Sequence, residues 1–299
     1  MNKKLLLLWL IFITTFLKSN AQLPHDAIYM GKNIACFAIM GEQSSWNKYW
    51  ENNLKRENLN IGTLTVRSVM PMVAVGLTKR LNVLVGVPYV KTEASAGNLL
   101  GQSGFQDMAI WVKYKLIPAK TGFSLHAIGG VSTPVSNYVP DFLPLSIGMG
   151  SKTATARLLA NYKTKVGLYG SVSGSYIARG NVKVDRDSYF SNGQLYNTNE
   201  VVVPNASDAA FRLGWLKKKW QAELNYELFS CLSGDYIRRN DMPYPTNKMS
   251  MKMAGAYIKF QPKNIGFNAR MNKVLNGQNV GQSTIYSLGF LYQLNNIIK

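Results

Sequence analysis

The chain predicts an all-β fold, a single transmembrane antiparallel up-and-down β-barrel of about twelve strands, and three observations carry that prediction. Apolar and polar residues alternate with period two in segment after segment from Ile61 onward. The connections between those segments alternate between long and short. Beyond the N-terminus no run is apolar for long enough to cross a bilayer as a helix; the longest candidate, Leu81 to Val90, is interrupted by Asn82, Gly86 and Pro88.

Residues 1–21 read as a signal peptide. Lys3 and Lys4 precede the apolar run Leu5 to Phe16, and Ser19-Asn20-Ala21 offers a small-x-small cleavage site before Gln22. A spanning helix needs roughly 20 apolar residues, and this run stops short, before Lys18. No cysteine stands at the cleavage point to take a lipid anchor, so export is expected to lead to the periplasm or beyond. Residues 22–32 are expected to be a short periplasmic N-terminal segment ahead of a barrel over 33–295. Cys36 and Cys231 are expected to remain unpaired.

Strands are predicted at about 33–41, 61–77, 81–93, 105–117, 122–135, 147–162, 165–180, 206–217, 219–233, 247–261, 264–275 and 282–295. In the sharpest case Trp220, Ala222, Leu224, Tyr226 and Leu228 alternate with Gln221, Glu223, Asn225, Glu227 and Phe229. A soluble sandwich shows the same alternation, so the connections decide. Long ones at 42–60, 94–104, 136–146, 181–205, 234–246 and 276–281 alternate with short ones at Thr78-Lys79-Arg80, Ala119-Lys120-Thr121, Lys163-Thr164, Lys218 and near Lys263. Outer-membrane barrels keep short periplasmic turns and longer external loops, which places both termini in the periplasm of a Gram-negative cell. Closure follows from energetics, because unpaired edge N–H and C=O groups in hydrocarbon each cost several kcal/mol. Tyr89, Tyr114, Tyr162, Tyr176, Trp215, Trp220, Tyr257 and Tyr292 fall near strand ends, where interfacial aromatic girdles are expected.

The formal charge is +19, and removal of Lys3, Lys4 and Lys18 leaves +16. An exported chain does not ordinarily meet nucleic acid, so the partners expected for this basic excess are outer-membrane lipids and a small-molecule solute. Lys79, Arg80, Lys120, Lys163, Lys165, Lys217, Lys218, Lys219 and Lys263 mark the short turns. They are expected to ring the periplasmic rim, where a basic residue near anionic headgroups contributes ~1 kcal/mol. Gathering of anions and plain solvation are the alternatives.

The run Val75-Gly76-Leu77-Thr78-Lys79-Arg80-Leu81-Asn82-Val83-Leu84-Val85-Gly86-Val87-Pro88-Tyr89-Val90 resembles a hairpin of the phenol meta-pathway degradation (MetA-like) family of outer-membrane barrels. Gly104-Phe105-Gln106-Asp107 with Lys113-Tyr114-Lys115-Leu116, and then Gly130-Val131-Ser132-Thr133-Pro134, resemble its next two strands. Gln106 departs from that family's second glycine, and the chain runs past its last aromatic to Lys299. The resemblance spans about Ile61 to Leu294 and implies an outer-membrane barrel with a transport role.

If the apolar parity faces lipid, the opposite parity lines the lumen with Arg67, Lys113, Arg157, Arg212, Lys252 and Arg270, together with Asp107, Glu223 and Glu227. One reading is a basic, anion-favouring lining; the other is an interior whose charges satisfy one another, as Arg212 with Glu223 and Glu227 suggests. In the loop from Gly41 to Asn60, Trp46, Trp50 and Leu54 recur at four-residue spacing with Tyr49 beside them, which predicts a short amphipathic helix. Trp46, Tyr49 and Trp50 are candidates for an external gate, or else for an aromatic loop packed on its neighbours.

Enzyme chemistry finds no support. His25 lies ahead of the barrel, and His126 shares parity with Ser124 and Ser132, so no lipid-facing Ser–His site is formed. Ser45-x-x-Lys48 lacks its companion motifs, and Asp185-Arg186-Asp187 lacks further oxygen ligands for a cation. No metal, cofactor or catalytic residue is expected. The function predicted is passage of small solutes, hydrophobic (aromatic) or anionic; the competing class is a closed structural barrel that binds a partner through loops 42–60 and 181–205.

Overall fold

A strand crossing a bilayer presents alternate side chains to lipid and to the lumen, so each alternating segment folds as β wherever its neighbours pair with it. The computed structural model describes residues 23–237 and 241–295; the signal-peptide assignment at 1–21 lies outside them. Twelve antiparallel strands form one closed barrel. They are β1 (Ile34–Trp46), β2 (Leu64–Gly76), β3 (Leu81–Gly86 with Tyr89–Ala94), β4 (Ser103–Phe105 with Asp107–Ile117), β5 (Phe123–Pro134) and β6 (Thr153–Lys163). Then follow β7 (Leu168–Arg179), β8 (Ala206–Lys217), β9 (Trp220–Cys231), β10 (Ser250–Phe260), β11 (Ile265–Gln278) and β12 (Thr284–Asn295).

Closure is made by β1. It pairs with β2 from Ile34↔Gly76 to Trp46↔Leu64, and with β12 from Ile34↔Asn295 to Ser45↔Thr284, so neither the first nor the last strand is left with an open edge. Pro88 interrupts β3 and Gln106 interrupts β4 at the same level, where the Gln106 N–H donates to the Pro88 carbonyl at 2.9 Å. The Gln106 side chain then donates to the Ile147 carbonyl at 2.6 Å and ties the 135–152 loop to the wall.

The wall is apolar outside and polar inside, the reverse of a water-soluble barrel. Leu158, Leu213, Leu224 and Leu288 are each more than half exposed on the outer surface, while Asn82, Lys113, Arg212, Asn225 and Gln293 are buried on the inner one. Short turns gather at one end, such as Lys218-Lys219 between Lys217 and Trp220. Long loops gather at the other. The loop after β1 folds as a hairpin of Lys48–Glu51 and Leu54–Glu57, in place of the predicted helix. It is held there because the Trp50 N–H donates to the Val280 carbonyl at 2.9 Å and the Trp50 ring packs on Met253 and Val274. The 180–205 loop builds a small core of its own from Val182, Val184, Tyr189, Val201 and Val203. Leu145 of the 135–152 loop is buried against Ile61 and Leu64. Cys36 and Cys231 are free, buried thiols near opposite ends of the barrel.

Candidate functional site

The segment before β1 does not trail away from the barrel. From Asn33, whose N–H donates to the Gly76 carbonyl at 2.8 Å, the chain runs back over Gly76. A side chain is impossible at Gly76, since a Cβ there would lie 2.0 Å from the Gly31 carbonyl oxygen. Residues 30 to 23 then occupy the lumen. Met30 is buried among Cys36, Ala38, Met72, Ala74 and Leu84. The Tyr29 ring stacks on His126 at 5.1 Å, and the Tyr29 hydroxyl lies 3.1 Å from Nδ1 of His126.

Lys113, on β4, is fully buried, and its three ammonium donors meet three acceptors of this segment: Asp26 Oδ1 at 2.8 Å, the Leu23 carbonyl at 2.8 Å and the Ile28 carbonyl at 3.1 Å. Asp26 also accepts from the N–H groups of Leu23 and Ile28, at 2.6 and 2.9 Å, so one carboxylate shapes the turn and anchors it to the wall. At mid-barrel the His25 carbonyl accepts from Arg212 at 3.1 Å, and His25 Nε2 lies 3.3 Å from an Arg270 guanidinium nitrogen. An arginine only donates, so this ring nitrogen accepts and the imidazole is neutral. Burial first, and then the positive field of Arg212, Arg270, Arg157 and Lys113, holds His25 well below the ordinary histidine range.

The wall around the segment is charged and largely paired. Arg212 reaches Glu227 at 2.9 Å and Glu223 at 3.5 Å, and Glu223 accepts from the Tyr169 hydroxyl at 2.7 Å. Arg157 bridges Asp208 at 2.8 Å, and Ser175 donates to the same carboxylate at 2.5 Å. Asp107 faces inward and accepts from the Tyr138 hydroxyl of the 135–152 loop. Arg270 differs: it lies over the Tyr257 ring at 5.2 Å, forms no ion pair among the described residues, and its Nε is buried without a hydrogen-bond partner.

Two assignments from the sequence are corrected. Arg67 faces outward, paired with Glu93 at 2.5 Å and with Gln43 at 3.0 Å. The inward face of β2 carries Leu64, Met72 and Ala74, packed on loop and N-terminal residues, so both faces of this strand are apolar and its parity is unreadable. Lys252 is also outward and exposed, because Met253 of β10 points inward onto Trp50 and a bulge follows Lys252. In its stead Lys259 of β10 is buried on the inner face. Sequence reasoning also missed His25, Asp26 and Asp208. The first two lie outside the alternating pattern, and Asp208 stands near the outer end of β8, where the pattern fades into a loop. The gate candidates sit at the loop end of the barrel: Trp50 is buried on β10 and β11, Trp46 packs on the Ile61–Leu64–Leu145 cluster, and Tyr49 bridges to Gly281.

Among the described residues, three cavities can be followed along the axis. A vestibule of about 880 Å³ lies among the long loops, bordered by Asp141, Arg186, Tyr189, Asp235 and Tyr244. A chamber of about 180 Å³ lies above His25, between Arg157, Asp208, Arg212, Phe229 and Met251. A third, of about 270 Å³, lies toward the short turns beside Asp26, Tyr29, Lys115 and Tyr169. The N-terminal segment stands between the last two.

A closed twelve-stranded wall, apolar toward lipid and polar within, defines the class as an outer-membrane β-barrel. Among solved structures the chain is similar to the COG4313 outer membrane channel from Pseudomonas putida F1, with a TM-score of 0.73 and 12% identity over 92% of this chain and 100% of that one. It is also similar to the beta domain of the Bordetella autotransporter BrkA, with a TM-score of 0.50 and 10% identity over 88% of this chain and 100% of that one. At such identities the likeness establishes the fold alone. No protein-family model matches the chain, and no curated protein matches it by sequence.

Proposed function

We propose that the protein is an outer-membrane channel for small anionic or aromatic solutes, with passage controlled by its own N-terminal segment. The observation that carries this reading is the way residues 23–30 are held. Met30 anchors one end of the segment in an apolar cluster, whereas His25 and Asp26 are attached to the wall through Lys113, Arg212 and Arg270, by polar contacts that water can replace once the segment moves. Release of the segment would join the chamber above His25 to the cavity below it.

Arg270 supports the anionic preference, since its charge has no carboxylate beside it and fixed charge in a narrow passage is poorly screened. The aromatic class rests on the resemblance of the 75–90 hairpin and on Trp111 and Tyr257, over whose rings Arg157 and Arg270 lie. Small aromatic carboxylates combine both properties and are the first solutes to test. The test is reversal potential in a salt gradient across a planar bilayer, with benzoate replacing chloride on one side. An anion-favouring potential and benzoate current support the reading; a cation-favouring potential refutes it.

The closed structural barrel remains the second reading, favoured by the mutual pairing of Arg157 with Asp208 and of Arg212 with Glu223 and Glu227. A folded protein that never conducts, with the segment docked or released, is the outcome that selects it.

A further inference from the structure

The outer surface carries its charge on one side only. On the outward positions of β4 to β9 no Lys, Arg, Asp or Glu occurs above the turn at Lys217–Lys219. On β10, β11, β2 and β3 the outward positions hold Lys252, Lys273, Arg67, Lys91 and Glu93, all toward the loop end. Arg67 and Lys91 both contact Glu93, at 2.5 and 2.6 Å, and so their charge is partly answered. Lys252 and Lys273 are exposed, and neither makes an ion pair with any described residue.

Register places these two lysines at the head of a trough. Ala254 pairs with Lys273, and Ala256 pairs with Met271, so descending β10 from Lys252 the outward side chains are two alanines in succession. On the other side Tyr226 pairs with Ala254 and Leu224 with Ala256. Two small residues between taller walls make a notch. Below this notch, beginning at Ala256, an apolar groove of about 810 Å³ opens to the membrane and runs across the neighbouring strands past Leu224, Ala222, Ala269 and Met271; the two lysines and Ala254 stand above it. A bare apolar face would say nothing about its occupant, because any lipid chain covers it. Paired cations at the outer end of an alkyl-sized trough do, because they select a lipid with phosphate at headgroup depth.

We propose that this groove is a binding site for the phosphorylated glycolipid of the outer leaflet, with an acyl chain along Ala254 and Ala256 and a phosphate between Lys252 and Lys273. The long loops on the external side put the lysines at the level of that leaflet. The inference rests on the outer-membrane placement and not on conduction, so loss of one does not entail loss of the other.

The test uses the full folded protein in detergent, mixed with diphosphoryl lipid A or with its dephosphorylated form, and native mass spectrometry reads the bound fraction. Diphosphoryl lipid A is expected to bind with a stoichiometry of one more than the dephosphorylated form. The double variant Lys252→Gln, Lys273→Gln is expected to weaken that site about thirtyfold, at roughly fivefold per lysine near a charged surface. Arg67→Gln, Lys91→Gln is expected to change it little. Ala256→Trp, which fills the trough, is expected to abolish it while heat-modifiable migration in electrophoresis shows the barrel intact. The proposal is overturned if phosphate makes no difference, if the two double variants behave alike, or if light scattering shows that the groove is covered by a second copy of the chain which Ala256→Trp dissociates.

Discussion

Replacing Lys113 by methionine is expected to release the N-terminal segment and leave the barrel wall standing. Methionine matches the length of the lysine stem and suits the buried site, so the cost falls on Asp26, whose carboxylate loses its countercharge while only 13% of its side chain is exposed. Removing one partner of a buried ion pair typically costs ~3 to 5 kcal/mol. Here the stranded carboxylate is on the segment and not on the wall, so the system escapes the cost by undocking: Asp26 reaches water, and the twelve-strand ladder is untouched. Even the lower figure shifts the docked-to-free ratio more than a hundredfold. The assay is the rate at which a maleimide too bulky for the lumen labels a cysteine introduced as Ala27→Cys; the native Cys36 and Cys231 are buried and serve as internal controls. Labelling is expected to accelerate by about two orders of magnitude in the Lys113→Met background. An unchanged rate, with the barrel folded, would refute the argument that this ion pair holds the segment.

The remaining predictions follow from the same contacts. Because His25 is docked as the neutral ring and its pKa is depressed there, docking is fully stable above the free-histidine value of about 6.5 and weakens as pH falls below it; channel opening should rise between pH 7.5 and 5.5, and His25→Gln should flatten that profile. Arg270→Gln should move the reversal potential toward cations with little change in urea unfolding, since no carboxylate is stranded. Arg157→Gln should lower urea resistance instead, because Asp208 loses its partner; equal effects of the two in both assays would contradict the pairing described. In intact cells, added protease should cut the 181–205 loop and spare the Lys217–Lys219 turn, and reversed cleavage would invert the orientation.

Most of the wall was legible in the sequence, and most of its filling was not. Where one strand face meets lipid and the other meets water or polar groups, as in Trp220 to Phe229, alternation reports directionality and register together. The code fails where something apolar fills the lumen. Met72 and Ala74 pack on Met30, and Met253 packs on Trp50, so β2 and the outer end of β10 read as apolar on both faces and the orientations of Arg67 and Lys252 were lost. The four-residue spacing of Trp46, Trp50 and Leu54 fits a helix equally well, and only pairing with residues 279–282 makes that stretch a hairpin. Asp26 and His25 carry no periodic signal, because the partners that give them meaning, Lys113 and Arg212, stand 87 and 187 residues away.

If residues 23–30 close a passage through the barrel, removing them opens it. The most direct test is the planar-bilayer current of a chain that begins at Gln22 beside that of a chain shortened to begin at Gly31, both refolded and both shown to be intact barrels by heat-modifiable migration. The longer chain is expected to open rarely and the shortened chain to conduct steadily, with anions favoured through Arg270 once His25 no longer covers it. Two silent barrels, or two identical currents, would contradict that closure.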